Sequence, residues 1–116
     1  MARPFPYRIE DMLDAIEEAR SYIGDMTIAQ FEADKRTQRA VERCIQVISE
    51  AAKDVPRELK AKHKEIPWRN VVGMGNKLRH DYHNVVVQIV WDTVKIDLPP
   101  LEIVVRAIKA ELPQDG

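Results

Sequence analysis

The apolar residues of the segment 41–55 recur with the period of an α-helix. Over four turns they follow the spacing i, i+3, i+4, i+7, which places them on one side of a helix. The stripe consists of Val41, Cys44, Ile45, Ile48, Ala51, Ala52 and Val55. Because a single helix cannot bury such a face by itself, the stripe requires further helices packed against it.

Two other segments show the same period and predict the helices that cover the stripe. Their apolar positions are Ile9, Met12, Leu13, Ile16, Ala19 and Ile23 in one, and Leu101, Val104, Val105, Ile108 and Leu112 in the other. Thr27 and Gln30 have the pattern of a capping box, which predicts one helix that starts there and continues to Val55. Pro56 ends that helix, and the charged segment 57–66 predicts one or two helical turns and a loop.

The segments 68–83 and 85–96 are less regular. Two glycines in the first cost a helix roughly 1 kcal/mol each relative to alanine, although the apolar residues still share one stripe. The β-branched residues of the second leave a strand open as an alternative, while its apolar spacing also fits a helix. Asp97 and the two prolines that follow it predict a turn and then a proline-led start of the last helix.

These patterns predict one all-α domain over residues 1–116, an antiparallel up-and-down bundle of about four to five helices. The 18 basic and 19 acidic side chains give a net charge of -1, so binding to nucleic acid would need a local basic patch. The single cysteine, Cys44, excludes an internal disulfide and suits a reducing compartment. Since no long apolar run predicts a signal peptide or a membrane span, we expect a cytoplasmic protein with no membrane partner.

The stretch "GMGNKLRHDYHN", residues 73–84, concentrates polar groups of several kinds. On a helix that turns about 100° per residue, these groups share one arc beside the apolar stripe. The arc holds Gly75, Asn76, Arg79, His80, Tyr82 and His83. Asn76 lies one turn before His80, and Arg79 one turn before His83, so the paired side chains can meet on the helix surface.

Histidine and arginine on one face are the minimum for cleaving RNA through its own 2'-hydroxyl. The histidine takes or gives a proton near neutral pH, and the arginine binds phosphate oxygens through its planar fork. The same residues also fit a solvated or packing surface. Two histidines this close together could also be metal ligands, which is another alternative. Because no third ligand lies at a standard spacing from them, we expect no metal and no cofactor. The row Arg36, Arg39 and Arg43 has two interpretations, a phosphate-facing edge or a solvated helix face.

Three stretches together resemble the HepT-like toxins of the HEPN superfamily, from about Ile9 to Leu112. They are "FEADKRTQRAVERCIQVISEAAKDVP", "IPWRNVVGMGNKLRHDYHNV" and "VWDTVKIDLPPL". The resemblance implies an all-helical bundle, a homodimer and metal-independent ribonuclease activity on an RNA such as tRNA or mRNA. The implied partner is a minimal nucleotidyltransferase antitoxin, which in such toxin–antitoxin modules transfers AMP to a tyrosine of the toxin.

The family motif is an arginine, four residues, a histidine, any residue and a tyrosine, usually with asparagine after the arginine. By this resemblance the histidine is His80, the tyrosine Tyr82 and the asparagine Asn76, while Gly75 occupies the arginine position. Arg79 lies one turn later at an azimuth about 40° away and is the replacement we expect.

The expected catalytic residues are therefore His80, Arg79 and Asn76, with Tyr82 as the modification site and His83 as an auxiliary. We also expect an arginine at position 75 to restore part of the activity that Arg79→Ala removes. The alternative is a catalytically silent dimeric module that binds RNA, a nucleotide or a nucleotidyltransferase partner.

Overall fold

The protein is a bundle of helices. A computed structural model describes residues 5–80 and 83–112, except for the side chains of residues 79, 80 and 83–86. The elements are α1 (Phe5–Ile23), α2 (Ile28–Ala33), α3 (Lys35–Lys53), α4 (Arg57–Lys62), α5 (Trp68–His80), α6 (His83–Asp92), a π-helical segment (Thr93–Asp97) and α7 (Leu98–Glu111). No strand occurs within the described ranges. The predicted all-α fold is confirmed.

Ion pairs between the long helices give their relative directions. Arg8 at the start of α1 binds Asp54 just beyond the end of α3, with 2.8 Å between Nε and Oδ2. Near the other end of α1, Arg20 binds Glu102 in the first half of α7, and Glu17 binds Arg106 further along α7. The helix α1 therefore runs antiparallel to both α3 and α7, as an up-and-down bundle requires.

The core lies between α1 and α3, which form the most extensive helix pair of the bundle. The sequence predicts that the stripe of α3 packs on Ile9, Leu13 and Ile16, and all three are buried. Ile9, Ile16 and, on α3, Ile48 have no exposed surface at all. The predicted core between these two helices is confirmed.

The helix predicted from Thr27 to Val55 is interrupted at Asp34, so this part of the prediction is wrong. The capping box of Thr27 and Gln30 does open α2, but Asp34 ends α2 and caps α3. Its carboxylate accepts hydrogen bonds from the backbone N–H and the hydroxyl of Thr37, at 3.0 and 2.7 Å. Aspartate competes with the helical backbone in this way, and buried Gln38 donates to two carbonyls at the end of α2.

The turn predicted at residues 97–100 is also absent, although α7 does begin with prolines in its first turn, as predicted. Asp97 and Leu98 both have helical backbone angles, and the N–H of Leu98 bonds the carbonyl of Thr93, five residues earlier. Such a widened π-type turn accommodates the prolines that follow, which have no N–H to donate. The segment 83–111 is therefore continuously helical, and the strand alternative for its first part is excluded.

The short helix α4 presents its charged residues to solvent and buries none of them, as the sequence predicts for this segment. Among the helices of the described residues, none combines the length and apolar character that crossing a bilayer needs.

Candidate functional site

The polar stretch lies on the second half of α5, and contacts at its N-terminal end fix the direction of this helix. Trp68 is buried, and its indole Nε1 donates to the carbonyl of His63 at 3.0 Å. From this anchor α5 continues to His80 through both glycines. The glycines do not break the helix, and one of them is needed for packing.

Gly75 packs directly on α3. Its N–H lies 3.3 Å from the hydroxyl oxygen of Ser49, and this hydroxyl donates to the carbonyl of Val72 at 2.5 Å. A Cβ at position 75 would lie 3.2 Å from that oxygen and 3.4 Å from the Cβ of Ser49. Glycine is therefore the residue that lets the two helices approach this closely.

This contact corrects the interpretation of position 75. The helical geometry predicted from the sequence places position 75 among exposed polar residues. In the structure, however, Gly75 is buried against α3. A side chain at position 75 would require Ser49 to shift by a few tenths of an ångström. The expectation that arginine at position 75 restores part of the activity stays a prediction.

Asn76, the next residue, is exposed at a groove between α3 and α5. The groove encloses about 370 Å³ and is lined on the α3 side by Arg43, Gln46, Ser49, Glu50 and Lys53. Val72 lies opposite Ser49, and position 75 lies between Ser49 and Gln46, which is one turn earlier on α3. In this antiparallel register, the last turn of α5 lies opposite the part of α3 that carries Arg43.

The remaining predicted site residues follow Asn76 closely. Arg79 and His80 are the last residues of α5, and His83 is the first of α6, but their side chains are outside the described residues. Tyr82 is outside the described residues altogether. The backbone places His80 one helical turn after Asn76, on the same side of α5. The roles of these four residues therefore stay predictions.

A second cavity, of about 360 Å³, lies between α5 on one side and α6 with the π-helical segment on the other. Its lining includes Lys77 from α5, and Asp92 and Asp97 from the opposite wall. Burial raises the pKa of Asp97, the nearby Asp92 raises it further, and Lys77 acts in the opposite direction. Sequence reasoning missed this cavity because no local pattern shows which residues of α6 and of the π-helical segment face α5.

The only cysteine is not a nucleophile. Cys44 is buried, and burial together with the carboxylate of Glu18 raises the pKa of its thiol to about 11. At neutral pH the sulfur is therefore protonated and unreactive. The candidates for the chemistry are thus Asn76 and the histidines and arginines near it.

Comparison with known proteins identifies the family. Residues 12–108 match the family described as "Ribonuclease HepT-like". A Thermococcus cleftensis protein named "Probable ribonuclease HepT" is 40% identical over 102 residues, covering 88% of this chain and 93% of that protein. A Caldanaerobacter subterraneus protein named "Putative RNase" is 34% identical over 108 residues, covering 93% and 96%. A Methanocaldococcus jannaschii protein with the same kind of name is 33% identical over 105 residues, covering 87% of each.

No solved structure matches this chain. The family match nevertheless includes α3, α5 and the polar stretch between residues 75 and 83. It also agrees with the all-helical fold. The resemblance seen in the sequence is confirmed, and the chain belongs to the HepT-like ribonuclease family.

Proposed function

We propose that this protein is an endoribonuclease that acts as the toxin of a type VII-like HEPN/MNT toxin–antitoxin module and needs no metal ion. The observation that carries the proposal is the family match over α5, whose exposed Asn76 lies one turn before His80 at an open groove. A groove that is lined by arginine, glutamine and asparagine suits a polyanionic strand.

The proposed reaction uses the substrate's own hydroxyl as the nucleophile. The 2'-hydroxyl loses its proton to a base, and its oxygen attacks the adjacent phosphorus. The bond from phosphorus to the 5'-oxygen then breaks, and that oxygen receives a proton. His80 is the proposed proton carrier, Arg79 stabilises the charge on the phosphate oxygens, and Asn76 orients the histidine or holds a phosphate, with His83 as an auxiliary. The products are a 2',3'-cyclic phosphate and a free 5'-hydroxyl.

Growth on expression tests the toxin function. Wild type should arrest growth, and His80→Ala or Arg79→Ala should relieve the arrest, because each removes one part of the pair that moves the proton and stabilises the phosphate. Arg79→Lys should recover little, since a point charge does not reproduce the bidentate fork. Full toxicity of His80→Ala at equal protein level would exclude the proposed role of this histidine.

We further propose a homodimer in which the two copies of residues 75–83 face each other across one cleft, related by a two-fold axis. Asn76→Cys tests this arrangement, because buried Cys44 leaves the new thiol as the only reactive one. Oxidation should join two copies through position 76. Lys109→Cys, at an exposed position of α7, is the control that should stay monomeric on a denaturing gel. Equal cross-linking of both variants, or none at position 76, would contradict the shared cleft.

The proposed partner is a minimal nucleotidyltransferase antitoxin that modifies Tyr82. The tyrosine oxygen would attack the α-phosphorus of ATP and release pyrophosphate, which leaves AMP on the side chain. The added negative charge and bulk would repel and block an RNA phosphate. Incubation with the nucleotidyltransferase and ATP should add one adenylyl mass to wild type and none to Tyr82→Phe. The same added mass on Tyr82→Phe would place the modification elsewhere.

A second candidate function is a catalytically silent module that binds RNA, a nucleotide or the partner without cleavage. One observation favours it: the position of the motif arginine is Gly75, which has no guanidinium to bind a phosphate and packs closely on Ser49. Purified wild type that binds RNA but cleaves none would support this second function over the first.

A further inference from the structure

A row of arginines lies along one exposed face of α3. Arg36, Arg39 and Arg43 follow the spacing i, i+3, i+7 and are all exposed. Along the helix axis they span about 10 Å. None of the three forms an ion pair with a carboxylate in the part of the chain that the structure describes.

Two other exposed arginines of the bundle are neutralised. Arg20 and Arg106 bind carboxylates of neighbouring helices, with 2.8 Å between Arg106 Nη2 and Glu17 Oε1. In a chain of net charge -1, three arginines without such pairs make a local basic surface. Arg36 lies near the carboxylate of Asp34, which caps the start of α3.

Charges around the row restrict where an anion can bind. On the α1 side, Arg43 borders a cavity that is also lined by Asp14 and Glu18, so this side repels phosphate. On the α5 side, Arg43 lines the groove together with Gln46 and Asn76. Further along the groove, Glu50 and Lys53 pair at 3.3 Å and leave little net charge. The free positive charge therefore lies at the end of the groove that faces the last turn of α5.

We propose that Arg36, Arg39 and Arg43 bind successive phosphates of a single-stranded RNA and direct the strand into the groove at Asn76. This inference rests on the proposed ribonuclease function and names where its substrate binds. The guanidinium fork suits phosphate oxygens, and such contacts position a strand without reading its bases. Arg43 also brings a cation to the groove beside Gly75, where the motif's own arginine is missing.

The experiment measures binding of a 2'-O-methyl RNA oligonucleotide of mixed sequence to the full chain at several salt concentrations. The methyl group blocks cleavage but keeps every phosphate. The double variant Arg39→Ala/Arg43→Ala should weaken binding roughly tenfold or more. In a plot of log affinity against log salt concentration, the slope for this variant should be smaller in magnitude by about 0.7 for each lost phosphate contact. Arg39→Lys/Arg43→Lys should keep most of the wild-type slope, because the charges remain.

The control removes the same charge elsewhere. Arg57→Ala/Lys109→Ala changes two exposed basic residues on α4 and α7 and should bind as wild type does. Equal weakening by both double variants would show unspecific attraction and overturn the proposal. So would an unchanged slope for Arg39→Ala/Arg43→Ala, or no binding by wild type. Cleavage of unmodified RNA by wild type, measured in parallel, shows whether the proposed function survives such a failure.

Discussion

At the scale of single residues, the contact of Gly75 with Ser49 determines how closely α5 approaches α3. The hydroxyl of Ser49 has two backbone partners, Val72 and Gly75 itself, so a shift of Ser49 would disturb both hydrogen bonds. A motif position that looks available for chemistry in the sequence is thus occupied by packing. The arginine function, if the protein cleaves RNA, has to come from another position.

Substitution of the two glycines of α5 tests this contact, because they differ only in their surroundings. A Cβ at Gly73 would meet nothing within 4 Å, so Gly73→Ala should gain up to about 1 kcal/mol of helix stability. Gly75→Ala should lose this gain to the overlap with Ser49 and be clearly the less stable of the two. Urea unfolding measures both variants. Equal stabilisation by both would mean that α5 does not pack on Ser49.

The thiol of Cys44 offers a second test at this scale. With its pKa raised to about 11 by burial and Glu18, roughly one thiol in a thousand is ionised at pH 8. A thiol reagent should therefore label the folded protein very slowly at pH 8 and the urea-unfolded protein rapidly. Rapid labelling of the folded state would show that the α1–α3 interface is open.

At the scale of elements, the periodic apolar stripes correctly predict α1, α3 and α7, because burial of one helix face dominates their stability. The break at Asp34 escapes prediction, since a capping aspartate resembles any polar residue on a solvated face until Gln38 is seen to complete the junction. The π-helical segment is not predicted from the sequence for a similar reason. Two prolines usually start a helix, and only the packed structure shows that a preceding helix continues into them.

The candidate site, like the fold, can be predicted from the sequence only in part. Residue types and the family resemblance point to Asn76 and the residues that follow it, and Asn76 does lie at an exposed groove. The burial of Gly75 depends on which residue of α3 it faces, which no local pattern contains. The same holds for the cavity beside Asp97, whose lining combines residues of α3, α5, α6 and the π-helical segment.

The cap of α3 supports a prediction with a defined pH dependence. Hydrogen bonds from the backbone and hydroxyl of Thr37 lower the pKa of Asp34 below its ordinary 3.8. The carboxylate therefore stabilises the fold above about that pH, and this contribution is lost as the pH falls through the lowered value. Asp34→Ala should lower the melting temperature at pH 7, and the difference from wild type should shrink at lower pH. Asp34→Asn should keep much of the cap. A difference that is constant down to pH 2 would contradict this origin.

At the scale of the whole molecule, the chain is nearly neutral, but its basic and acidic residues lie on different parts of the surface. The side of α1 near Arg43 is acidic, the exposed face of α3 carries three arginines without ion pairs in the described residues, and the groove between α3 and α5 begins where the row ends. This arrangement gives an anionic strand one favourable approach to the end of α5. In the proposed function, α3 supplies binding and orientation while the motif on α5 supplies the proton transfer.

The most direct test of the central claim is the chemistry of RNA cleavage by the purified protein in the presence of EDTA. Wild type should cleave a single-stranded RNA and leave a 2',3'-cyclic phosphate and a 5'-hydroxyl, and it should leave the 2'-O-methyl RNA intact. His80→Ala should reduce the rate by at least roughly 100-fold, the usual contribution of a positioned acid or base. No cleavage by wild type, cleavage that requires a divalent metal and leaves a 5'-phosphate, or full activity of His80→Ala would contradict the account.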